Sequence, residues 1–122
     1  MTPEILRMRR LVIAEAERFP ALGREYYERS WVRTQALLTQ SFATLHQRGL
    51  LCLNDAERAA YQFVYLVAAI PLNRASFLGD TATYTKRELT ELAADAVRIF
   101  LTAHAPPPTR PRAPRASTDS RP

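Results

Sequence analysis

The sequence predicts an all-α protein, a single bundle of about five helices, and three observations support this fold class. Only three glycines occur in 122 residues that are rich in Ala, Leu, Arg and Glu, and such a composition favours helices over a turn-rich β fold. Apolar residues recur at helical spacing in several segments. Residues 63–72 are apolar throughout, so a helix there has to be buried all round or covered on one flank by a partner.

The first half of the sequence predicts three helices. Thr2 supplies a hydroxyl cap for the first of them, and Pro20 should end it because proline disfavours the α conformation in the residue before it. A second, short helix is predicted at residues 21–29 and a third at residues 31–48. Gly49 provides the left-handed stop that commonly follows a helix.

The second half predicts two longer helices. The central helix covers residues 55–78 and has Asn54 as its predicted cap, with Pro71 expected to kink it without breaking it. Thr85 and Glu88 have the spacing of a strict capping box, which predicts the start of the last helix. Both helices have more apolar surface than one neighbouring helix can cover.

The length of 122 residues suits one domain. The single cysteine, Cys52, cannot form an internal disulfide, and acidic residues interrupt the early apolar positions where a secretory signal would need them. The apolar run of ten residues is far shorter than the roughly 20 that span a bilayer. We therefore expect a cytoplasmic protein that has no contact with a membrane.

Positive charge is concentrated at the C-terminus. The net charge is +5, of which +2 belongs to residues 1–104 and +3 to residues 105–122. We expect residues 1–104 to form the folded domain and residues 105–122 to form a disordered, basic, Pro-rich tail. Arg7, Arg9 and Arg10 are interpreted as a solvated helix end. No helix is a candidate for reading base edges, so no specific DNA binding by this chain alone is expected.

No constellation of catalytic residues is evident, and we expect neither an enzyme nor a bound cofactor or metal. His46 and His104 have no second ligand at metal spacing, so each is interpreted as a surface or helix-end histidine. Cys52 is interpreted as a half-buried, inert thiol, with a redox sensor as the less favoured alternative. The acidic residues near the N-terminus lie beside arginines, which indicates solvated ion pairs.

Aromatic residues are the candidates for a ligand pocket, because such pockets combine aromatic walls with a few polar tips. Ordinary core packing is the alternative for each of them. The pocket candidates are Tyr26, Tyr27, Trp31, Phe42, Tyr61 and Phe77. A second set, chosen from the two long helices, consists of candidates for a dimer interface: Tyr65 (also considered for the pocket), Leu66, Ala69, Leu92, Ala96 and Ile99.

Residues 11–20, LVIAEAERFP, together with the later segments RGLL at residues 48–51 and AVRIFL at residues 96–101, resemble the C-terminal domain of TetR-type transcriptional repressors. The similarity is greatest to the AefR-like branch and covers residues 6–103. It implies an all-helical domain that encloses a pocket for a small apolar or amphipathic effector. It also implies a homodimer formed through the last two helices, here residues 55–78 and 86–103.

The sequence departs from this family at its N-terminus. Only ten residues precede Leu11, and they contain no recognition helix. We therefore expect a regulatory domain without its helix-turn-helix, whether by truncation, by a mis-assigned start or as a stand-alone sensor. One alternative is an interaction module that heterodimerises with full-length TetR-type repressors and blocks their DNA binding. A weaker alternative is a nucleic-acid binder that acts through the tail.

Overall fold

Five α-helices and one π-helical turn make up the computed structural model, which describes residues 2–79 and 84–112. No strand occurs in these two ranges, so the predicted all-α fold is confirmed. In chain order the elements are α1 (Pro3–Glu15), α2 (Pro20–Tyr27), the π-helical turn (Glu28–Val32), α3 (Arg33–Gln47), α4 (Ala56–Leu78) and α5 (Lys86–His104). The structure describes the predicted tail only as far as Arg112, without helix, and the rest of it lies outside the described residues.

The second and third predicted helices form one continuous helical segment. α2 passes into α3 through the π-helical turn without a break, so the prediction of two separate helices was wrong. Residues 24–48 contain neither glycine nor proline, and nothing in them ends a helix. Ser30 donates its hydroxyl to the carbonyl of Tyr26 at 2.6 Å, and Thr34 donates to the carbonyl of Ser30 at 2.9 Å. Side-chain bonds of this kind often accompany bends in a helix.

α1 is shorter at its C-terminal end than the sequence predicts. Its cap is Thr2, whose hydroxyl accepts the N–H of Ile5 at 3.4 Å. The helix ends at Glu15, before the expected end at Phe19, and a turn leads to Pro20. The N–H of Phe19 donates to the carbonyl of Glu15 at 2.8 Å, so this turn remains hydrogen-bonded to the helix that it leaves.

α3 ends in a Schellman motif at the predicted glycine. Gly49 has φ 74°, its N–H donates to the carbonyl of His46, and the N–H of Leu50 donates to the carbonyl of Leu45, both at 3.0 Å. These are the two bonds that define the motif. The predicted stop at Gly49 is therefore present.

The connection between α3 and α4 is hydrogen-bonded to the C-terminal ends of α3 and α5. Leu51 and Leu53 are buried, whereas Cys52 between them is exposed, so the expectation of a half-buried thiol was wrong. The N–H of Cys52 donates to the carbonyl of His104 at 2.9 Å, and the N–H of Leu53 donates to Nδ1 of His46 at 3.1 Å. His46 is therefore a partner of the connection and not only a surface residue.

Both long helices begin at side-chain caps. Asp55, and not the predicted Asn54, caps α4 by accepting the N–H of Arg58 at 3.0 Å. At the start of α5, the Thr85 hydroxyl accepts the N–H of Glu88 at 3.1 Å, and the Glu88 carboxylate accepts the N–H of Thr85 at 2.7 Å. This is the predicted capping box. The bonds from Thr85 stabilise the ionised carboxylate and hold the pKa of Glu88 below its ordinary value.

α4 lies at the centre of the bundle, where it contacts α1, α3 and α5, and it runs through Pro71 without a break. The core is an aromatic cluster formed by Phe42 of α3, Phe63 of α4 and Phe100 of α5. Their ring centroids lie 5.0 to 5.4 Å apart. Ala59 and Ala60 belong to the same core, and their small side chains allow the neighbouring helices to approach α4 closely.

Candidate functional site

A cleft of about 380 Å³ opens between α1, the π-helical turn and α4. Most of its walls are apolar or aromatic, and its polar groups come from α1 and from the C-terminal half of α4. The lining residues are Arg9, Trp31, Val64, Tyr65, Ala68, Ala69, Ile70, Leu72, Asn73 and Ser76. This volume and composition match small-molecule sites in proteins, which are mostly apolar with a few placed polar groups.

One wall of the cleft is an aromatic pair. The rings of Trp31 and Tyr65 have centroids 5.4 Å apart and an interplanar angle of 58°, a tilted geometry that aromatic pairs favour. Trp31 belongs to the π-helical turn and Tyr65 to α4. Single π-helical turns occur often at functional sites, because the extra residue changes the direction in which the side chains around it point.

Two further tyrosines, Tyr27 and Tyr61, lie next to this pair. The side chain of Tyr27 lies near the hydroxyl of Tyr61, and its hydrogen-bonding interaction is the main cause that raises the pKa of Tyr61 above its ordinary value. Tyr27 lies four residues before Trp31, and Tyr61 lies four residues before Tyr65. Tyr27 therefore shares a helix face with Trp31, and Tyr61 shares one with Tyr65. These four side chains form the aromatic quartet: Tyr27, Trp31, Tyr61 and Tyr65.

Gln35, which was not among the residues predicted from the sequence, joins α3 to the first turn of α4. Its side chain is 4% exposed, and Nε2 donates to the carbonyl of Glu57 in the first turn of α4 at 3.2 Å. This bond satisfies the buried amide and joins α3 to α4. Gln35 lies seven residues before Phe42, and that helical spacing could have identified it as inward-facing.

Arg9 is the single charged residue among the cleft-lining residues that the structure describes. It is half-buried, and its Nη1 donates to the hydroxyl of Ser76 at 3.2 Å. The Ser76 hydroxyl donates in turn to the carbonyl of Leu72 at 2.8 Å. The interpretation of this arginine as part of a solvated helix end was therefore wrong, because α1 is packed against α4 at this point.

The six predicted pocket residues separate into two groups. Tyr27, Trp31 and Tyr61 come together in the aromatic quartet, and Trp31 lines the cleft directly. The others lie elsewhere: Phe42 is in the core cluster, Phe77 is 82% exposed on α4, and Tyr26 is half-buried without lining the cleft.

Exposed apolar side chains follow one face of α4, which we name the α4 stripe. Its members are Leu66, Ala69, Ile70 and Phe77, all exposed and spaced by three, four or seven residues along the helix. Two of them, Ala69 and Ile70, also line the cleft. The cleft and the α4 stripe are therefore adjacent.

α5 has apolar side chains on both sides of its buried face. Ala96, predicted for an interface, is 3% exposed and lies in the buried face with Phe100. Helical spacing places Leu92, which is half-buried, and Ile99, which is 48% exposed, on one side of that face. Val97 and Leu101 lie on the other side, along a groove of about 850 Å³. In the part of the chain that the structure describes, no group of three His, Cys, Asp or Glu side chains could hold a metal ion.

None of the helices in the described ranges is long and apolar enough to cross a membrane. Comparison with protein families finds a match over residues 1–106 to the AefR-like transcriptional repressor, C-terminal domain. Among solved structures, a TetR-family transcriptional regulator from Mesorhizobium loti MAFF303099 has a similar fold, with a TM-score of 0.80 and 36% sequence identity. The alignment covers 85% of this chain and 51% of that protein, so the chain spans about half of the relative's length. No curated protein matches the sequence.

Proposed function

The chain belongs to the TetR-type transcriptional regulators, where it corresponds to the AefR-like C-terminal domain, and we propose that it binds a small effector and pairs with a second subunit. The main support is the cleft between α1, the π-helical turn and α4. It combines a volume of about 380 Å³ with apolar walls, an aromatic pair and one cation. This is the composition expected of a site that holds one small amphipathic molecule.

The α4 stripe supports the proposed pairing. Leu66, Ile70 and Phe77 leave a large apolar area of the central helix uncovered, and exposed apolar patches of this kind commonly mark interaction sites. Ile99 on α5 adds to the exposed apolar area of the last two helices. Pairing of α4 and α5 with the same helices of a second copy would bury these side chains in a four-helix contact.

The proposed mechanism couples the two surfaces. Ala69 and Ile70 belong to both the cleft and the α4 stripe, so a ligand in the cleft would contact the helix that also forms the interface. The same ligand would hold α1 against α4, because both helices line the cleft. An effector that binds one arrangement of α1 more tightly than another shifts the population toward that arrangement. In a full-length regulator, α1 would pass this change to the DNA-binding part.

Two measurements on the same sample test the proposal. Sedimentation velocity should show a dimer at micromolar concentration. Trp31, the only tryptophan, should change its emission when an effector-sized amphipathic molecule enters the cleft. A well-folded monomer would contradict the pairing, whereas an unchanged Trp31 emission across a varied compound library would contradict the ligand site.

A further inference from the structure

We propose that the cleft selects an anionic amphipathic ligand, an ionised carboxylic acid with an apolar body, over neutral molecules of the same shape. This inference rests on the proposed ligand-binding role and specifies the chemical class of the effector. It follows from the position of Arg9, from the bonds that Ser76 makes, and from the small side chains along α4.

Arg9 brings a permanent positive charge to the cleft. Its guanidinium has five N–H donors, and within the described residues the structure gives it one hydrogen bond, to the Ser76 hydroxyl. None of the described ion pairs includes Arg9. A half-buried charge is stabilised most by a partner of opposite charge, and the planar fork of arginine suits the two oxygens of a carboxylate.

Ser76 orients the guanidinium of Arg9 and leaves its other N–H donors available to a ligand. Because the Ser76 hydroxyl donates its hydrogen to the carbonyl of Leu72, it can act toward Arg9 only as an acceptor. It therefore contributes no donor to a ligand but holds one edge of the guanidinium in place. Asn73, also in the cleft lining, has an amide group whose N–H can donate to a carboxylate oxygen.

The rest of the cleft suits an apolar body. Ala68 and Ala69 have small side chains, which leave space between α4 and the ring of Trp31. Val64 and Leu72 extend the apolar wall. A molecule with its acid group at Arg9 would place its hydrocarbon part along this wall, so that one ligand satisfies both the charge and the apolar surface.

A matched pair of probes separates charge from shape: decanoate and decanol share an alkyl chain and differ in the ionised head. Their affinities are measured by Trp31 fluorescence and by calorimetry on the full chain near neutral pH and at fixed ionic strength. The variants are Arg9→Gln, which removes the charge, and Arg9→Lys, which keeps it without the fork. The matched control is Arg48→Gln, which removes a charge at the exposed end of α3, remote in sequence from the cleft-lining residues. A further variant, Ala68→Phe, fills the cleft.

Decanoate should bind at least about ten-fold more tightly than decanol, as expected for a hydrogen-bonded charge pair. Arg9→Gln should remove this preference, Arg9→Lys should leave a smaller preference, and Arg48→Gln should keep the full one. Ala68→Phe, with its helical content checked by circular dichroism, should weaken both probes.

Equal affinities of the wild-type chain for the two probes, or a preference that survives Arg9→Gln, would overturn the anionic selectivity and leave the ligand-binding role intact. Binding that is unaffected by Ala68→Phe, or no binding of either probe, would overturn both the selectivity and the assignment of the cleft as the ligand site.

Discussion

The indole of Trp31 packs against the phenol ring of Tyr65 with 5.4 Å between the ring centroids, and this contact joins the π-helical turn to the central helix α4. The two residues lie on different helical segments, so helical spacing within either segment could not predict their contact. Their contact forms one wall of the cleft. Trp31 belongs to the π-helical turn, so the irregular part of the helical segment is the part that meets α4 at this contact.

A double-mutant cycle on Trp31→Ala and Tyr65→Ala measures this contact. We expect a coupling free energy of about 0.5 to 1.5 kcal/mol, the usual value for an aromatic pair beyond its buried area. The measurement is urea unfolding of the two single variants and the double variant. Trp31→Ala combined with Leu37→Ala is the control pair, because Leu37 is 61% exposed on α3, and its effects should be additive. Coupling of equal size in both cycles would refute a specific Trp31–Tyr65 interaction.

Phe42→Ala should destabilise the chain severely. Phe42 contacts the rings of Phe63 and Phe100 in the core, and replacing a buried phenylalanine by alanine typically costs about 3 to 5 kcal/mol. Leu37→Ala, on the same helix but exposed, should cost less than about 0.5 kcal/mol. Chemical denaturation of both variants checks this contrast. Similar losses for the two would mean that the aromatic cluster is not the main core.

The capping box at the start of α5 should make stability depend on pH in the acidic range. The pKa of Glu88 is lowered in the folded state by its bonds to Thr85. Its contribution is therefore fully present above the ordinary glutamate pKa and is lost as pH falls through the folded value. Thermal unfolding against pH should show this loss, and Glu88→Gln should reduce the slope. Thr85→Ala should cost about 1 kcal/mol at neutral pH. An unchanged slope in Glu88→Gln would assign the acid sensitivity to other carboxylates.

Gly49→Ala should lower the free energy of unfolding by about 1 kcal/mol, because an alanine has to adopt the left-handed conformation there. A Cβ at this position would meet no other atom within 4 Å, so the cost is conformational and not steric. Gly49→Asn should cost less, since asparagine tolerates this conformation better. Equal losses in the two variants would point to another cause.

Arginine at the exposed apolar positions of α4 and α5 should dissociate the proposed dimer without unfolding the chain. Ile70→Arg and Ile99→Arg place the new charge where the isolated chain leaves the side chain exposed. In a dimer the same charge would be buried without a partner, which is costly. Sedimentation velocity and circular dichroism should show folded monomers, with Leu37→Arg remaining dimeric. Leu92→Arg is the harsher variant, because Leu92 is half-buried within the chain itself.

Local signals were predictable from the sequence, and contacts between distant segments were not. The capping box of Thr85 and Glu88 and the stop at Gly49 depend on residues within one helical turn. The cap of α4 was misassigned because Asn54 and Asp55 are both good caps, and the structure uses Asp55. The π-helical turn has no composition signal of its own.

The cleft illustrates the same limit. Three of the six predicted pocket residues gather in the aromatic quartet, since aromatic residues at helical spacing tend to share one face. Arg9 was missed because a charged residue near an end of the chain is usually solvated. Its role depends on α1 packing against Ser76 of α4, a contact between parts of the chain that sequence spacing cannot relate.

The connection between α3 and α4 has a practical consequence. Cys52 is the sole cysteine, its thiol is exposed, and its backbone is tied to His104 by a hydrogen bond of 2.9 Å. A thiol-reactive nitroxide would therefore attach at one defined and well-anchored position without any engineered residue. In a symmetric pair of subunits the two nitroxides would give a single distance by pulsed electron resonance. The distance between the two labels on Cys52 would therefore report the arrangement of two wild-type copies and any change in that arrangement when a ligand binds.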